Sequence, residues 1–269
     1  VVTIPFAWRT RKWLLAIVLF LCAGVFCAQR VDEIGGDLYP VVSWRWQMTS
    51  AQRSENIGAP TIQQTAELPD AITPEDWCDF LGQGRKNTLT NLTFSTDWTT
   101  PPKEVWRQPI GPGWSSFIGV GDYLFTQEQR GDAELVTCYR ADTGASVWQQ
   151  GETVLFDDAM GLGPRATPVF HEGHLYTQGA TGLLQCLDAA TGDILWKRQL
   201  TEDGDTGIPA FAFASSPLVV DELVVAFTAG SEGKSVIAYH LETGEIAWST
   251  GPKDDGYASP QLSTVVDTP

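Results

Sequence analysis

The sequence is poor in basic residues. Its 269 residues include 17 Lys and Arg against 33 Asp and Glu, which gives a formal net charge of -16 at pH 7. A folded surface with this balance carries a negative potential that repels phosphate backbones. The charge therefore argues against nucleic acid as a partner.

Helical periodicity is also missing from most of the chain. After about Pro74, short alternating apolar runs are separated by Gly, Pro and Asp, and none shows the apolar stripe of an amphipathic helix. The 26 Gly, 16 Pro and 11 Trp are typical of large rings packed between short, turn-rich strands. With 43% hydrophobic residues to build a core, the composition predicts an all-β domain.

Long apolar runs are absent except near the N-terminus. Trp13 to Ala28 carries no charge, and Arg9, Arg11 and Lys12 precede it. The run predicts a membrane anchor with the following residues outside the cytoplasm, because basic residues flank the cytoplasmic end of a span. A cleaved signal peptide is the alternative, although cleavage after Ala28 would put Phe26 where a small residue is needed.

Three segments of the remaining chain align without a gap: residues 136–150, 184–198 and 236–250. They share a Thr-Gly pair and a Trp, which are Thr143-Gly144 with Trp148, Thr191-Gly192 with Trp196, and Thr243-Gly244 with Trp248. A second column, "WSSF", "RATP", "ASSP" and "YASP", begins at residues 114, 165, 214 and 257. The chain therefore repeats with a period of about fifty residues.

Each repeat predicts four short antiparallel strands. The Ser/Thr-Pro step opens the first strand, and the Thr-Gly turn joins the third to the fourth because Gly adopts positive φ. The closing Trp is expected to cover the neighbouring repeat. A four-stranded unit of this length that cannot bury both faces alone is a propeller blade.

The spacing of Asp188, Thr191, Gly192 and Trp196 resembles the blade motif of the pyrroloquinoline quinone (PQQ) repeat family. The stretch "WCDFLGQGR" at residues 77–85 is similar to an opening segment common in bacterial members. The resemblance covers about residues 77–269, with Arg140 and His240 at the Asp position of the other copies. It implies a relationship to eight-bladed quinoprotein alcohol dehydrogenases and to a non-enzymatic lipoprotein of outer-membrane assembly.

The resemblance also implies a ring of eight blades, whereas this sequence offers about three complete blades and partial strands. We expect a truncated member of the family, with "KEVWRQ" around Trp106 as an edge strand. The predicted division is an N-terminal anchor or signal segment at residues 1–30, a linker at residues 31–75, and a partial propeller at residues 76–269.

PQQ with calcium enters only as an implication of the resemblance. A working PQQ dehydrogenase would need a catalytic Asp, a Glu/Asn set for calcium and, usually, two adjacent cysteines, and no Cys-Cys pair exists in the sequence. The acidic pairs Asp157-Asp158 and Asp254-Asp255 are interpreted as solvated loop charges. We predict no catalytic residue and no metal ligand.

Other reactive side chains are assigned to structural positions by the repeat. Cys138 and Cys186 share a column with Ala238, which indicates a small core residue, and a disulfide between blades would span too far. His171 and His174 fall at the turn between the first two strands, and we interpret them as solvated turn residues rather than as a metal pair.

One column differs between otherwise similar repeats. Trp114, Arg165, Ala214 and Tyr257 each precede the Ser/Ala/Thr pair and are predicted to face the mouth of the central channel. Such mouths favour ligands, so Trp114, Arg165 and Tyr257 are the candidate cofactor- or ligand-binding residues. Glu128 and Arg130 are expected between strands near the same end, and ordinary loop-end positions remain the alternative for all of them.

These observations predict a membrane-anchored, extracytoplasmic propeller that acts as a binding or scaffolding module, with a protein or a small molecule bound at the channel mouth. The first alternative is a PQQ-dependent alcohol or sugar dehydrogenase whose catalytic residues lie outside this chain. The second is the sensor domain of a larger membrane protein such as a kinase.

Overall fold

The N-terminal part of the protein is a helix followed by a hairpin. The computed structural model describes residues 8–34, 39–49, 52, 63–89, 93, 95–253 and 256–263. Helix α1 covers Trp8–Ala28, and its window Arg11–Ala28 is long and apolar enough to cross a membrane. Strands β1 (Gln29–Ile34) and β2 (Pro40–Trp44) pair directly after it.

Twelve of the other described strands form three antiparallel sheets of four, as the repeat predicts. The first blade contains β3 (Ile118–Val120), β4 (Tyr123–Arg130), β5 (Ala133–Arg140) and β6 (Ser146–Thr153). A short pair, β7 (Asp157–Asp158) and β8 (Gly161–Leu162), follows it.

The second blade contains β9 (Val169–His171), β10 (His174–Gln178), β11 (Leu183–Asp188) and β12 (Ile194–Gln199), and helix α2 (Leu200–Asp203) follows. The third contains β13 (Leu218–Val220), β14 (Leu223–Phe227), β15 (Val236–His240) and β16 (Ile246–Thr250). Strand β9 contacts both β3 and β13, so the first strands of the blades lie together at the inside. The prediction of an all-β, PQQ-repeat-type propeller is confirmed, and the described sheets form an open arc.

A small residue, Cys or Ala, lies opposite the closing Trp in the third strand of each blade, and the fourth strand has a bulge next to this pair. In the first blade Cys138 pairs with Trp148 while the next residue pairs with Ser146, so Val147 is an extra residue on β6. Cys186 with Trp196 and Ala238 with Trp248 repeat this register. Because directly opposed residues share a face, each Trp ring needs a small side chain across from it.

The glycine of each Thr-Gly turn packs against the Trp that precedes it in the repeat order. Gly192 has φ +80°, and a Cβ added there would lie 2.6 Å from Cε3 of Trp148. The Trp148 indole N–H donates to the Ala189 carbonyl at 3.1 Å, in the same turn of the next blade. Trp196 makes the equivalent contacts with Gly244 and the Leu241 carbonyl. Trp148 and Trp196 therefore join neighbouring blades, as predicted, whereas Trp248 is 42% exposed and no described turn glycine lies against it.

The Ser/Thr column forms a second connection between blades. The Ser116 N–H donates to Oγ1 of Thr167 at 3.2 Å, the Thr167 N–H to Oγ of Ser216 at 2.9 Å, and the Ser216 N–H to Oγ of Ser259 at 2.9 Å. We call this chain of bonds the hydroxyl ladder. It explains why a hydroxyl recurs beside the strand entrance in every repeat.

The segment around Trp106 differs from the prediction. Residues 101–117 form no strand, although Trp106 donates to the Ala141 carbonyl at 2.9 Å and lies against Gly144. Trp106 thus supplies the blade-joining contact without the strand. A strand needs a neighbour for its backbone groups, and in the described structure no strand pairs with this segment.

Part of the predicted linker packs on the blades. The Gln64 N–H donates to the Val147 carbonyl and the Ala66 N–H to the Ala190 carbonyl, at 2.9 and 2.8 Å. Ala66 is buried in a core cluster that the first and second blades share. The domain boundaries at residues 30 and 75 stay predictions.

Candidate functional site

The divergent column lines one cavity. Trp114, Arg165, Ala214 and Tyr257 border a space of about 410 Å³ together with Met160 and Phe211. Each column residue stands just before the hydroxyl ladder, and the Trp114 N–H donates to the Pro164 carbonyl at 2.8 Å, which sets it beside Arg165. The cavity therefore lies at the entrance of the innermost strands, where the sequence places the candidate residues.

Aromatic rings form the walls of this cavity. Phe211 and Tyr257 meet edge to face with centroids 5.6 Å apart, and both remain partly exposed, as does Trp114. Rings arranged in this way offer apolar surface at little cost in conformational entropy, a property of binding surfaces. The cavity has the chemistry to receive an apolar or aromatic group.

The guanidinium of Arg165 is already paired within the protein, so its charge is not free to bind a ligand. Its guanidinium contacts the Asp158 carboxylate at 2.9 Å and donates to the Gly161 carbonyl at 3.0 Å. The Phe156 ring lies 5.3 Å from the guanidinium carbon. Arg165 is thus held by its own loop. Asp158 is only 14% exposed at its side chain, so its interpretation as a solvated charge is wrong, whereas Asp157 is exposed. Asp254-Asp255 lies outside the described residues.

Sequence reasoning missed Met160 and Phe211. Both lie in segments between blades that have no counterpart in the aligned columns, so the repeat gave no register for them. The signal that could have found them is the extra length of these segments, because insertions between blades lie in loops at the ends of a propeller.

Glu128 and Arg130 occupy a different place from the predicted one. Both lie inside β4 rather than between strands, and their ion pair is buried at 3.0 Å. The Tyr139 hydroxyl also donates to Glu128, and the Gly111 N–H donates to it at 2.5 Å. These contacts hold the segment before Trp114 and are structural. The strand is longer than predicted, because its pairing with β5 continues through Glu128 to Arg130 and Ala133.

Buried polar groups lie between the first two blades. The Gln127 side-chain amide donates to the Ala166 carbonyl at 2.7 Å, next to Arg165. Both oxygens of Glu134 accept the Ala180 N–H, at 3.2 and 3.1 Å. Burial raises the pKa of Glu134 to about 7, despite the opposing effects of this N–H and of Arg165. One carboxyl at this blade joint therefore titrates near neutrality.

The segment that resembles the family opening lies along the innermost strands. Trp77 bridges to Gly119, the Phe170 N–H donates to the Cys78 carbonyl at 2.8 Å, and Arg85 donates to the Ser216 and Pro217 carbonyls. Arg85 is held by a two-point contact with Asp79, whose pKa is raised because burial outweighs the arginine. Residues 77–85 thus tie all three blades together.

The remaining sequence candidates behave as follows. His171 and His174 face each other across the first turn of the second blade. Among the residues that the structure describes, no group of three His, Cys, Asp or Glu side chains could hold a metal ion. All five cysteines are free thiols, with Cys138 and Cys186 in separate core clusters.

The cavity lining does not match the cofactor that the resemblance implies. PQQ is a planar quinone with carboxylates, and calcium takes about six to eight oxygen ligands. Of the six lining side chains only Arg165 is charged, it is already paired with Asp158, and none is a carboxylate or an amide. The lining residues therefore do not supply a PQQ and calcium site.

Known structures with some likeness to the chain include alcohol-oxidising dehydrogenases and a BamB protein. A europium-containing methanol dehydrogenase aligns with 52% of this chain and 25% of its own at 19% identity, with a TM-score of 0.39. The quinohemoprotein alcohol dehydrogenase ADHIIG from Pseudomonas putida HK5 aligns with 55% and 22% at 22% identity and a TM-score of 0.42. BamB from Moraxella catarrhalis aligns with 54% and 64% at 17% identity and a TM-score of 0.26.

The chain spans less than two thirds of each of these proteins. No curated protein gives a significant sequence match. A protein-family model described as "Outer membrane protein assembly factor BamB" matches residues 132–268, which is just over half of the chain and includes all three Thr-Gly turns. The chain belongs to this family of PQQ-type repeat proteins.

Proposed function

We propose that the protein is a membrane-anchored, extracytoplasmic β-propeller that binds an apolar segment of a partner protein and so acts as a binding or scaffolding module. The proposed organisation is an anchor at residues 1–30, a linker at 31–75 and the propeller at 76–269. The observation that carries the proposal is the cavity: the positions that differ between the repeats are the ones that line it.

The chemistry of the cavity supports binding over catalysis. Its surface is made of rings, a thioether and an alanine, and its one charged side chain is held by Asp158. Partly exposed aromatic rings at a concave site are typical anchors for a partner's apolar side chains. Trp114, Phe211 and Tyr257 are the proposed contact residues.

The helix α1 supports the anchor. Its side chains at residues 11–27 are exposed, as expected of a helix surrounded by lipid, and basic residues precede its apolar run. The description of the matching family model names an assembly factor, which supports a scaffolding role for a protein ligand.

The test is peptide binding to the full-length chain in detergent, measured by fluorescence anisotropy with a panel of peptides that carry Phe, Leu, Trp or Ser at the centre. We expect the apolar peptides to bind and the Ser peptide not to bind. Phe211→Ser and Tyr257→Ser should each weaken binding about tenfold, the effect of losing roughly 1.4 kcal/mol at an aromatic anchor.

Trp98→Ser is the matched control, because Trp98 is 65% exposed and does not line the cavity. It should leave the affinity unchanged. Apolar peptides that fail to bind, or that bind the cavity variants as tightly as the parent, would contradict the proposal. Stoichiometric PQQ binding with turnover of an alcohol or sugar would replace it with the dehydrogenase alternative.

A further inference from the structure

The hairpin β1–β2 has an apolar face that the propeller does not cover. Gln29 pairs with Trp44 and Val31 with Val42, so these residues share one face of the hairpin. The Trp44 ring stacks on Trp46 with centroids 5.0 Å apart, and Trp46 is 72% exposed. Val31 and Val42 are at least half exposed. We call Val31, Val42, Trp44 and Trp46 the hairpin apolar face.

The opposite face of the hairpin is mostly ionic and polar, although it also carries Val41. Arg30 pairs with Ser43 on this face and forms an ion pair with Asp32 at 2.6 Å. The Arg30 guanidinium also donates to the Gln47 carbonyl at 2.6 Å. The hairpin is therefore amphipathic, which is the pattern of an element that lies between an apolar and an aqueous phase.

The hairpin is joined rigidly to the end of α1. Strand β1 begins at the residue after the helix, and the Arg45 N–H donates to the Ala28 carbonyl at 2.8 Å. The Arg45 side chain donates to the Gln29 carbonyl at 3.2 Å. Wherever α1 leaves the hydrocarbon, the hairpin is at the level of the lipid headgroups.

The other end of the hairpin reaches the propeller. The Ile34 N–H donates to the Ala159 carbonyl at 3.1 Å, and the next residue, Met160, lines the cavity. The hairpin thus connects the helix with the cavity side of the propeller and has bonds at both ends.

We propose that the hairpin apolar face lies in the headgroup region of the bilayer that α1 crosses. The occupant of this face is phospholipid, because the face continues directly from the exposed apolar helix and carries tryptophans, which concentrate at membrane interfaces. The inference rests on the proposed membrane anchor.

The test uses a photoreactive diazirine amino acid placed at Trp46 in the full-length chain, reconstituted in vesicles of phosphatidylethanolamine and phosphatidylglycerol. Lipid adducts are measured by mass spectrometry after irradiation. Substitution at Trp46 removes no core contact, since the side chain is largely exposed, and circular dichroism verifies the fold of each variant. We expect several-fold more lipid adduct at Trp46 than at Val41, which is 43% exposed on the opposite face.

The same probe at Phe20, which is 79% exposed on α1, reports the anchor separately. Lipid adducts at Phe20 together with none at Trp46, or with equal yields at Trp46 and Val41, would overturn the hairpin inference and leave the anchor intact. Adducts of Trp46 to protein, including a second copy of the chain, would also overturn it. An absence of lipid adducts at both Phe20 and Trp46 would refute the anchor itself.

Discussion

At the scale of single residues, Glu134 couples the first blade to the second. The residue is 8% exposed, and its carboxyl accepts a backbone N–H of the second blade. The charged form of a buried carboxyl is poorly solvated, so the pKa in the folded protein is raised from 4.5 to about 7. The folded state therefore favours the protonated acid.

The pH dependence of stability follows from this shift. A carboxyl with a raised folded pKa contributes stability that is fully present below about pH 4.5 and is lost as the pH rises through about 7. We expect Glu134→Gln to abolish this loss, because the amide keeps an acceptor oxygen without a charge. Above pH 7 the variant should be more stable than the parent by up to about 3 kcal/mol, since each pKa unit corresponds to about 1.4 kcal/mol.

Urea unfolding at several pH values between 4 and 8 measures the effect. Glu152→Gln is the control, because Glu152 pairs with Glu134 across the strands but its side chain is 40% exposed and contacts Lys197. That variant should keep the pH dependence of the parent. An unchanged profile in Glu134→Gln would show that another group is responsible.

At the scale of elements, the Thr-Gly turn serves two purposes at once. It reverses the chain with a positive φ at the glycine, and it leaves room for the Trp ring of the preceding unit. The second blade allows these two effects to be separated. Gly173, in its first turn, has φ +79° and nothing within 4 Å of an added Cβ, whereas Gly192, with φ +80°, has Trp148 in contact.

We expect Gly173→Ala to lower the free energy of unfolding by about 1 kcal/mol, the cost of a left-handed alanine. Gly192→Ala should lower it by about 2 to 4 kcal/mol, because overpacking against the Trp148 ring adds to the same backbone cost. Denaturant unfolding followed by tryptophan fluorescence measures both. Equal effects of the two substitutions would mean that the ring contact contributes no stability.

At the scale of the whole molecule, the hydroxyl ladder and the Trp joints hold the blades in one arc. Each blade is only four strands wide, so the strength of the arc depends on contacts between blades. Trp248 shows the exposure of this residue without such a contact. It occupies the same register as Trp148 but is 42% exposed, and no described turn glycine lies against it.

Two neighbouring serines test the ladder. Ser216→Ala removes the acceptor of the Thr167 N–H and should cost about 1 to 3 kcal/mol, the effect of leaving a buried donor unsatisfied. Ser215→Ala should change stability by less than about 0.5 kcal/mol. The Ser215 hydroxyl is equally buried but has no hydrogen-bond partner in the described structure. Thermal unfolding by calorimetry compares the two variants, and similar losses would argue against the ladder.

The strands, the turns and the contacts between blades could be predicted because the copies of the repeat can be compared with one another. Positions that must satisfy the same backbone geometry or pack the same ring, such as Gly192 and Trp148, show the same residue type in every unit. The predicted column at Trp114, Arg165 and Tyr257 came from the same comparison, and the structure brings these residues together around one cavity. Their binding role stays a prediction.

The sequence alone determined the all-β class, the period of the blades, the glycine turns and the apolar helix, since each depends on local periodicity or on the conformation of one residue. Only the tertiary structure decided what lies beside what: that Asp158 holds Arg165, that Met160 and Phe211 complete the cavity, and that Glu128 is buried. These contacts join segments without counterparts in the repeat or depend on strand length. Their partners are set by packing between blades, which no local pattern encodes.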